Sequence, residues 1–189
     1  NESTIPKLSI VDPELMLTLP PDQTAYTGMD AFFHAVETSI ATPHQPGGDV
    51  LAWQAVEYIR EHLPQAIKNG RDLEARAKLA WASTAAGICQ TLSFCISHHI
   101  LEHALSAVFP KIPHGLGLVI LSRAFFSTLE ERNPDVFTPL AKSLGESSND
   151  GPLPFVRALK ALLTDCGLEQ ECLEKHGVAA TDIPELVQN

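Results

Sequence analysis

The sequence predicts an all-α protein, a multi-helix bundle entered through a short strand and linker. Three observations carry that prediction. Beyond residue 20, apolar residues recur three and four apart over most of the chain, the spacing that gathers them on one helix face. Strand-like patterning is confined to the first nineteen residues. Of 189 residues, 44% are hydrophobic and only 19% charged, enough to bury a core as one domain.

The elements follow in order. Residues 7–19 (KLSIVDPELMLTL) form an apolar run broken by Asp12-Pro13, which reads as a short strand and a turn. Pro20-Pro21 marks a boundary between this strand and linker (1–19) and a helical domain (20–189), with Pro21 suited to a first helical turn. Helices are expected over 29–40, 49–68 and 73–109. The last is too long for one typical helix and should break near Gly87 or Ser97. A further run opens at Pro113-His114 and reaches Glu131, with Asn133-Pro134 marking its end. The polar stretch 145–150 (GESSND) is the clearest loop, and 153–168 and 183–187 read as helix. There is no repeat and no low-complexity segment.

A net charge of -10 argues against nucleic acid or anionic lipid as a partner, because phosphate binding needs a basic face. Cys89, Cys95, Cys166 and Cys172 are irregularly spaced with no Cys-x-x-Cys pair, so they read as reduced thiols of a cytoplasmic protein. No uninterrupted apolar run reaches membrane-spanning length, and no signal peptide opens the chain. The first residue is Asn1, on a segment that reads as mid-protein, so a fragment is expected.

The chemistry concentrates in a few residues. Asp30 and His34 are four apart and share a helix face; His99 and His103 repeat that spacing, and His114 follows between Pro113 and Gly115. A carboxylate and several imidazoles from two helices and a helix start suit ferrous iron (Fe2+) or Zn2+. Each residue also has a plainer reading. Thr27-x-x-Asp30 fits a helix-start capping box, and His34 on its apolar segment fits a satisfied core histidine. His98 cannot share the face of its neighbour His99, and His103 pairs with His99, so His98 reads as a surface or outer residue. Cys95 lies one turn before His99 but reads as a buried, inert thiol. Glu37 is placed to orient His34, although a solvated carboxylate is the better-supported reading. His44, His62 and His176 read as surface residues.

The wording around these residues carries the reading further. The run Thr24-Ala25-Tyr26-Thr27-Gly28-Met29-Asp30-Ala31-Phe32-Phe33-His34-Ala35-Val36-Glu37 closely resembles the first metal motif of the iron-containing (group III) alcohol dehydrogenases. So does its lead-in, Val11-Asp12-Pro13-Glu14-Leu15 through Leu19-Pro20-Pro21. The stretch His99-Ile100-Leu101-Glu102-His103-Ala104-Leu105, running on to Pro113-His114-Gly115-Leu116, resembles the family's other half-site. The resemblance covers most of the first two-thirds of the chain. It implies the C-terminal helical domain of the dehydroquinate synthase-like superfamily, with Asp30, His34, His99 and His114 as metal ligands. It implies that His103 lies beside the nicotinamide and relays a proton. Two departures stand out: the interval from His103 to His114 is one residue longer than the common pattern, and Phe32 and Phe33 replace smaller or polar residues. The phenylalanines read as core packing.

The family's cofactor domain is not visible in this sequence, which has no Gly-Gly-Gly-Ser loop and no Gly-x-Gly-x-x-Gly. The resemblance therefore implies that residues 1–19 are left from an N-terminal α/β domain, that the helical domain is truncated beyond Asn189, and that the fragment alone is inactive. It implies an intact enzyme that interconverts a small alcohol and an aldehyde or ketone with NAD or NADP, the metal acting as Lewis acid on the substrate oxygen. Fe2+ is the expected ion, with Zn2+ as alternative. Competing readings are a zinc-dependent glycerol dehydrogenase-like enzyme and a catalytically silent metal-binding fragment. Homo-oligomerisation is left open.

Overall fold

The structure, a computed structural model, describes residues 6–147 and 151–188. Residues 1–5 and 189, and residues 148–150 of the expected loop, lie outside that description. Among the described residues there is no strand; the fold is all-α. The expected strand is instead an extended lead-in with a 3-10 turn at Pro13–Met16, where the Asp12 carboxylate accepts the Glu14 amide at 2.9 Å. A strand needs a second strand to pair its backbone groups, and none lies alongside, so Leu8 and Ile10 stay exposed.

Helix α1 spans Pro21–Ile40 and starts eight residues before the apolar periodicity does, because Pro21 sets the first turn. Helix α2 spans Pro46–Lys68, and α3 spans Leu73–Leu92 behind an Asp72 cap that accepts the Ala75 amide at 3.0 Å. The expected break falls at residues 93–96, before Ser97, while Gly87 stays inside α3. There the chain turns 105° into α4, Ser97–Val108. Among the described residues, no single helix is long and apolar enough to cross a membrane.

Helix α5, His114–Arg132, ends at Asn133, and Pro134 immediately starts α6, Pro134–Ser143. Sequence periodicity does not reveal α6, because prolines at 134 and 139 interrupt a ten-residue pattern. Its Phe137, Leu140 and Ala141 are buried nonetheless. Helix α7, Pro154–Asp165, receives both oxygens of buried Glu130 on its first amides, Phe155 and Val156, each at 3.0 Å. A carboxylate there satisfies orphan donors and faces the positive end of the helix. Helix α8, Ile183–Gln188, lies against α4.

Helix α1 is central, packed on α2 and α3 to one side and α5 to the other. Phe32 and Phe33 of α1 meet Phe126, Phe155 and Phe137 in a fully buried aromatic cluster, as the core-packing reading expected. Its opposite edge, carrying Asp30 and His34, looks toward α4 and the start of α5.

Candidate metal centre

Three elements converge on Asp30. Its Oδ1 lies 3.3 Å from His34 Nδ1 one turn along α1, 3.3 Å from His99 Nε2 on α4, and 3.4 Å from His114 Nε2 at the first residue of α5. The close approach of α5 depends on Gly115: a Cβ there would sit 2.1 Å from the Tyr26 carbonyl oxygen. The four residues expected as ligands are thus together. Asp30 is not a helix cap, because it lies deep inside α1 and Thr27 donates its hydroxyl to Gln23 O at 2.7 Å. His103 is exposed at the rim, its ring centroid 5.5 Å from that of His114. A cleft of about 170 Å³, lined by Tyr26, Asp30, Pro113 and His114 among others, opens onto the cluster.

Behind the histidines stand two fully buried carboxylates. Glu37 Oε1 is paired with His99 Nδ1 in a short contact, and also faces His98 Nδ1 at 3.2 Å. Glu102 Oε2 is paired with His114 Nδ1 in the same way, and its other oxygen takes the Ser106 hydroxyl. These contacts correct several expectations. Glu37 is not solvated, and it holds His99 rather than His34. His98 is not at the surface: it is fully buried, its Nε2 3.0 Å from Leu118 O, and it packs edge-on to Phe33 and tilted against Phe125 and Phe126. Cys95 is half-buried rather than sealed in. His62 is half-buried beside Tyr58, whereas His44 and His176 pair with Asp49 and Glu171 away from the cluster. Glu102 was not singled out at all; its one signal was a carboxylate set between the apolar Leu101 and the expected His103.

The electrostatics follow from this packing. Burial pushes the Asp30 carboxyl up, but hydrogen bonds to His114 and His99 outweigh it and hold the group well below the ordinary carboxylate range. Burial likewise opposes charge on His99, yet hydrogen bonds to Asp30, Cys95 and Glu37 raise it to about 11. His114 is raised to about 9 by its hydrogen bonds to Asp30 and Glu102. Burial lowers His34. Glu37 and Glu102 are both held low, the histidine hydrogen bonds overcoming their desolvation.

The donor chemistry fits a divalent cation. A carboxylate accepting from Nδ1–H fixes the tautomer and leaves Nε2 as a lone pair. Both Nε2 atoms, of His99 and His114, face the Asp30 carboxylate, which can only accept. Acceptors meet acceptors in this way only across a proton or a cation. Metal bonds of about 2.0–2.2 Å in a tetrahedron place donor atoms roughly 3.3–3.6 Å apart, and the Asp30 separations are 3.3–3.4 Å.

Residues 24–189 match the family described as "Fe-containing alcohol dehydrogenase family, C-terminal". Among curated proteins, the chain is 33% identical to a 1,3-propanediol dehydrogenase of Citrobacter freundii, over 97% of this chain and 48% of that protein. It is 40% identical to a NAD-dependent methanol dehydrogenase of Bacillus methanolicus, over 61% of this chain and 30% of the relative. Among solved structures, an alcohol dehydrogenase from an archaeal halo-thermophilic Red Sea brine pool superposes with a TM-score of 0.92 at 33% identity, covering 100% of this chain and 49% of that one. A 1,3-propanediol oxidoreductase gives 0.89 at 33% identity, covering 97% and 49%. The chain spans about half the length of the relatives that it matches over nearly its full length. It belongs to the iron-containing alcohol dehydrogenase family, whose C-terminal region it matches.

Proposed function

We propose that this chain is the metal-holding part of a NAD(P)-dependent alcohol dehydrogenase, with Asp30, His34, His99 and His114 holding Fe2+ or Zn2+. The observation that carries the reading is the convergence of two histidine Nε2 atoms, each backed by a buried carboxylate, on one Asp30 oxygen. The bound metal supplies Lewis acidity to the oxygen of a small alcohol or carbonyl substrate. The residues do the rest. Asp30 and the three histidines set the position of the ion, and Glu37 and Glu102 keep His99 and His114 in the tautomer that presents Nε2. The cleft beside Tyr26 and Pro113 admits the substrate. His103, exposed at the rim, accepts or returns the hydroxyl proton.

Nicotinamide dependence is supported by the names of relatives, a NAD-dependent methanol dehydrogenase and a NADPH-dependent butanol dehydrogenase. In this reading the dinucleotide is held mainly by an α/β part of the protein outside residues 1–189, with residues 1–19 as the link and 20–189 as the helical domain. The test is elemental analysis of purified protein against Asp30→Ala and His99→Ala. Near-stoichiometric metal in the wild type, lost in both variants, is the expected result. Metal retained in both variants, or absent from the wild type after anaerobic loading with ferrous iron, would refute the ligand set.

A further inference from the structure

Cys95 belongs to the geometry of the centre and not to the site as described so far. It lies in the four-residue connector where α3 turns into α4. A ligand atom of Cys95, one of His34 and one of His99 all fall within 4.8 Å of one another. Gln90 Nε2 donates to the sulfur at 3.3 Å, which leaves the sulfur lone pairs turned away from Gln90 for other partners. His99 is only 4% exposed, its Nδ1 is committed to Glu37, and its Nε2 faces Asp30 Oδ1 at 3.3 Å.

We propose that Cys95, with His34 and His99, forms a second, sulfur-containing ligand set that captures thiophilic divalent cations such as zinc and cadmium. The inference rests on the metal-site reading above, because His34 and His99 serve both sets. The two sets differ in softness. Asp30, His99 and His114 offer oxygen and nitrogen, whereas exchanging the carboxylate for a thiolate favours zinc and cadmium over ferrous iron. A tetrahedral ion bonded to both sulfur and nitrogen holds them about 3.5 Å apart. Rotation of the Cys95 side chain on its non-helical connector closes the remaining distance. On binding, the thiol proton leaves to solvent as the sulfur–metal bond forms, with no change of oxidation state.

Cobalt(II) and cadmium(II) are the probes, added anaerobically to the purified protein, to Cys95→Ser, and to Cys172→Ser as a control thiol. The expected result is one bound cobalt with a near-ultraviolet sulfur-to-metal charge-transfer band, present in the wild type and Cys172→Ser and lost in Cys95→Ser. Cadmium affinity should fall on the order of 10-fold or more in Cys95→Ser while ferrous affinity changes less than about twofold. Bound cobalt showing only ligand-field bands would overturn the sulfur set and leave the oxygen–nitrogen site standing. A charge-transfer band that survives in Cys95→Ser would assign the sulfur elsewhere and also overturn it. No bound cobalt in any protein would refute both the sulfur set and the site on which it rests.

Discussion

Glu102→Gln is the sharpest perturbation of the proposed centre, because it removes a charge without removing volume. Glu102 is fully buried, accepts from Ser106 and holds His114 Nδ1. It is packed so closely on α5 that a Cβ at Gly117 would lie 2.6 Å from its Oε1. Loss of an outer carboxylate behind a ligating histidine typically costs 10–100-fold in metal affinity, about 1.4–2.8 kcal/mol. The glutamine also has a smaller structural cost, since its amide must find an acceptor where two oxygens stood. Two readouts separate these effects. Metal competition against a chelator reports affinity, and calorimetry in buffers of different ionisation enthalpy reports protons released per ion. His114 is held at about 9 partly by Glu102, so the variant should release fewer protons on binding near neutral pH while binding more weakly. Affinity unchanged within twofold in a normally folded variant would refute the idea that Glu102 supports a metal-binding His114.

Further outcomes follow from the same geometry. Metal affinity should rise with pH through neutrality and on past 9, because the ion must displace protons from His114, raised from 6.5 to about 9, and from His99, raised to about 11; a flat titration profile would contradict this. Gly115→Ala places a Cβ 2.1 Å from Tyr26 O, so α5 must retreat from α1 and metal affinity should fall about 10-fold or more, because ligand distances must hold to within about 0.2 Å; unchanged binding would show that this contact does not set the His114 position. Glu130→Ala strips both oxygens from the first amides of α7 and should cost about 2–3 kcal/mol in urea denaturation, with metal stoichiometry unchanged. Phe126→Ala opens a cavity among Phe33, Phe137 and Phe155 and should cost about 3–5 kcal/mol, read as a lowered denaturation midpoint.

Local geometry made much of this protein legible from the sequence. The all-α class, most helix spans, and the shared face of Asp30 and His34 depend only on the helix repeat, which acts over a few residues. Pro20-Pro21 and Asn133-Pro134 marked real boundaries because proline restrains the backbone where it stands. Family wording in the two motifs pointed to His99 and His114 together with Asp30, although the latter two are 84 positions apart.

Tertiary structure decided the rest, and in each case the deciding partner is distant in sequence. Whether Glu37 meets water or histidine depended on His98 and His99, 61 and 62 residues away, brought in by the 105° turn between α3 and α4. His98 could be buried only because Glu37 and Leu118 O, on other helices, stand against its two ring nitrogens. Among the described residues no neighbouring ladder pairs the lead-in, a property of its surroundings and not of its residues. A carboxylate or imidazole is worth burying only when its partner is already in place, and only the assembled helices supply that partner.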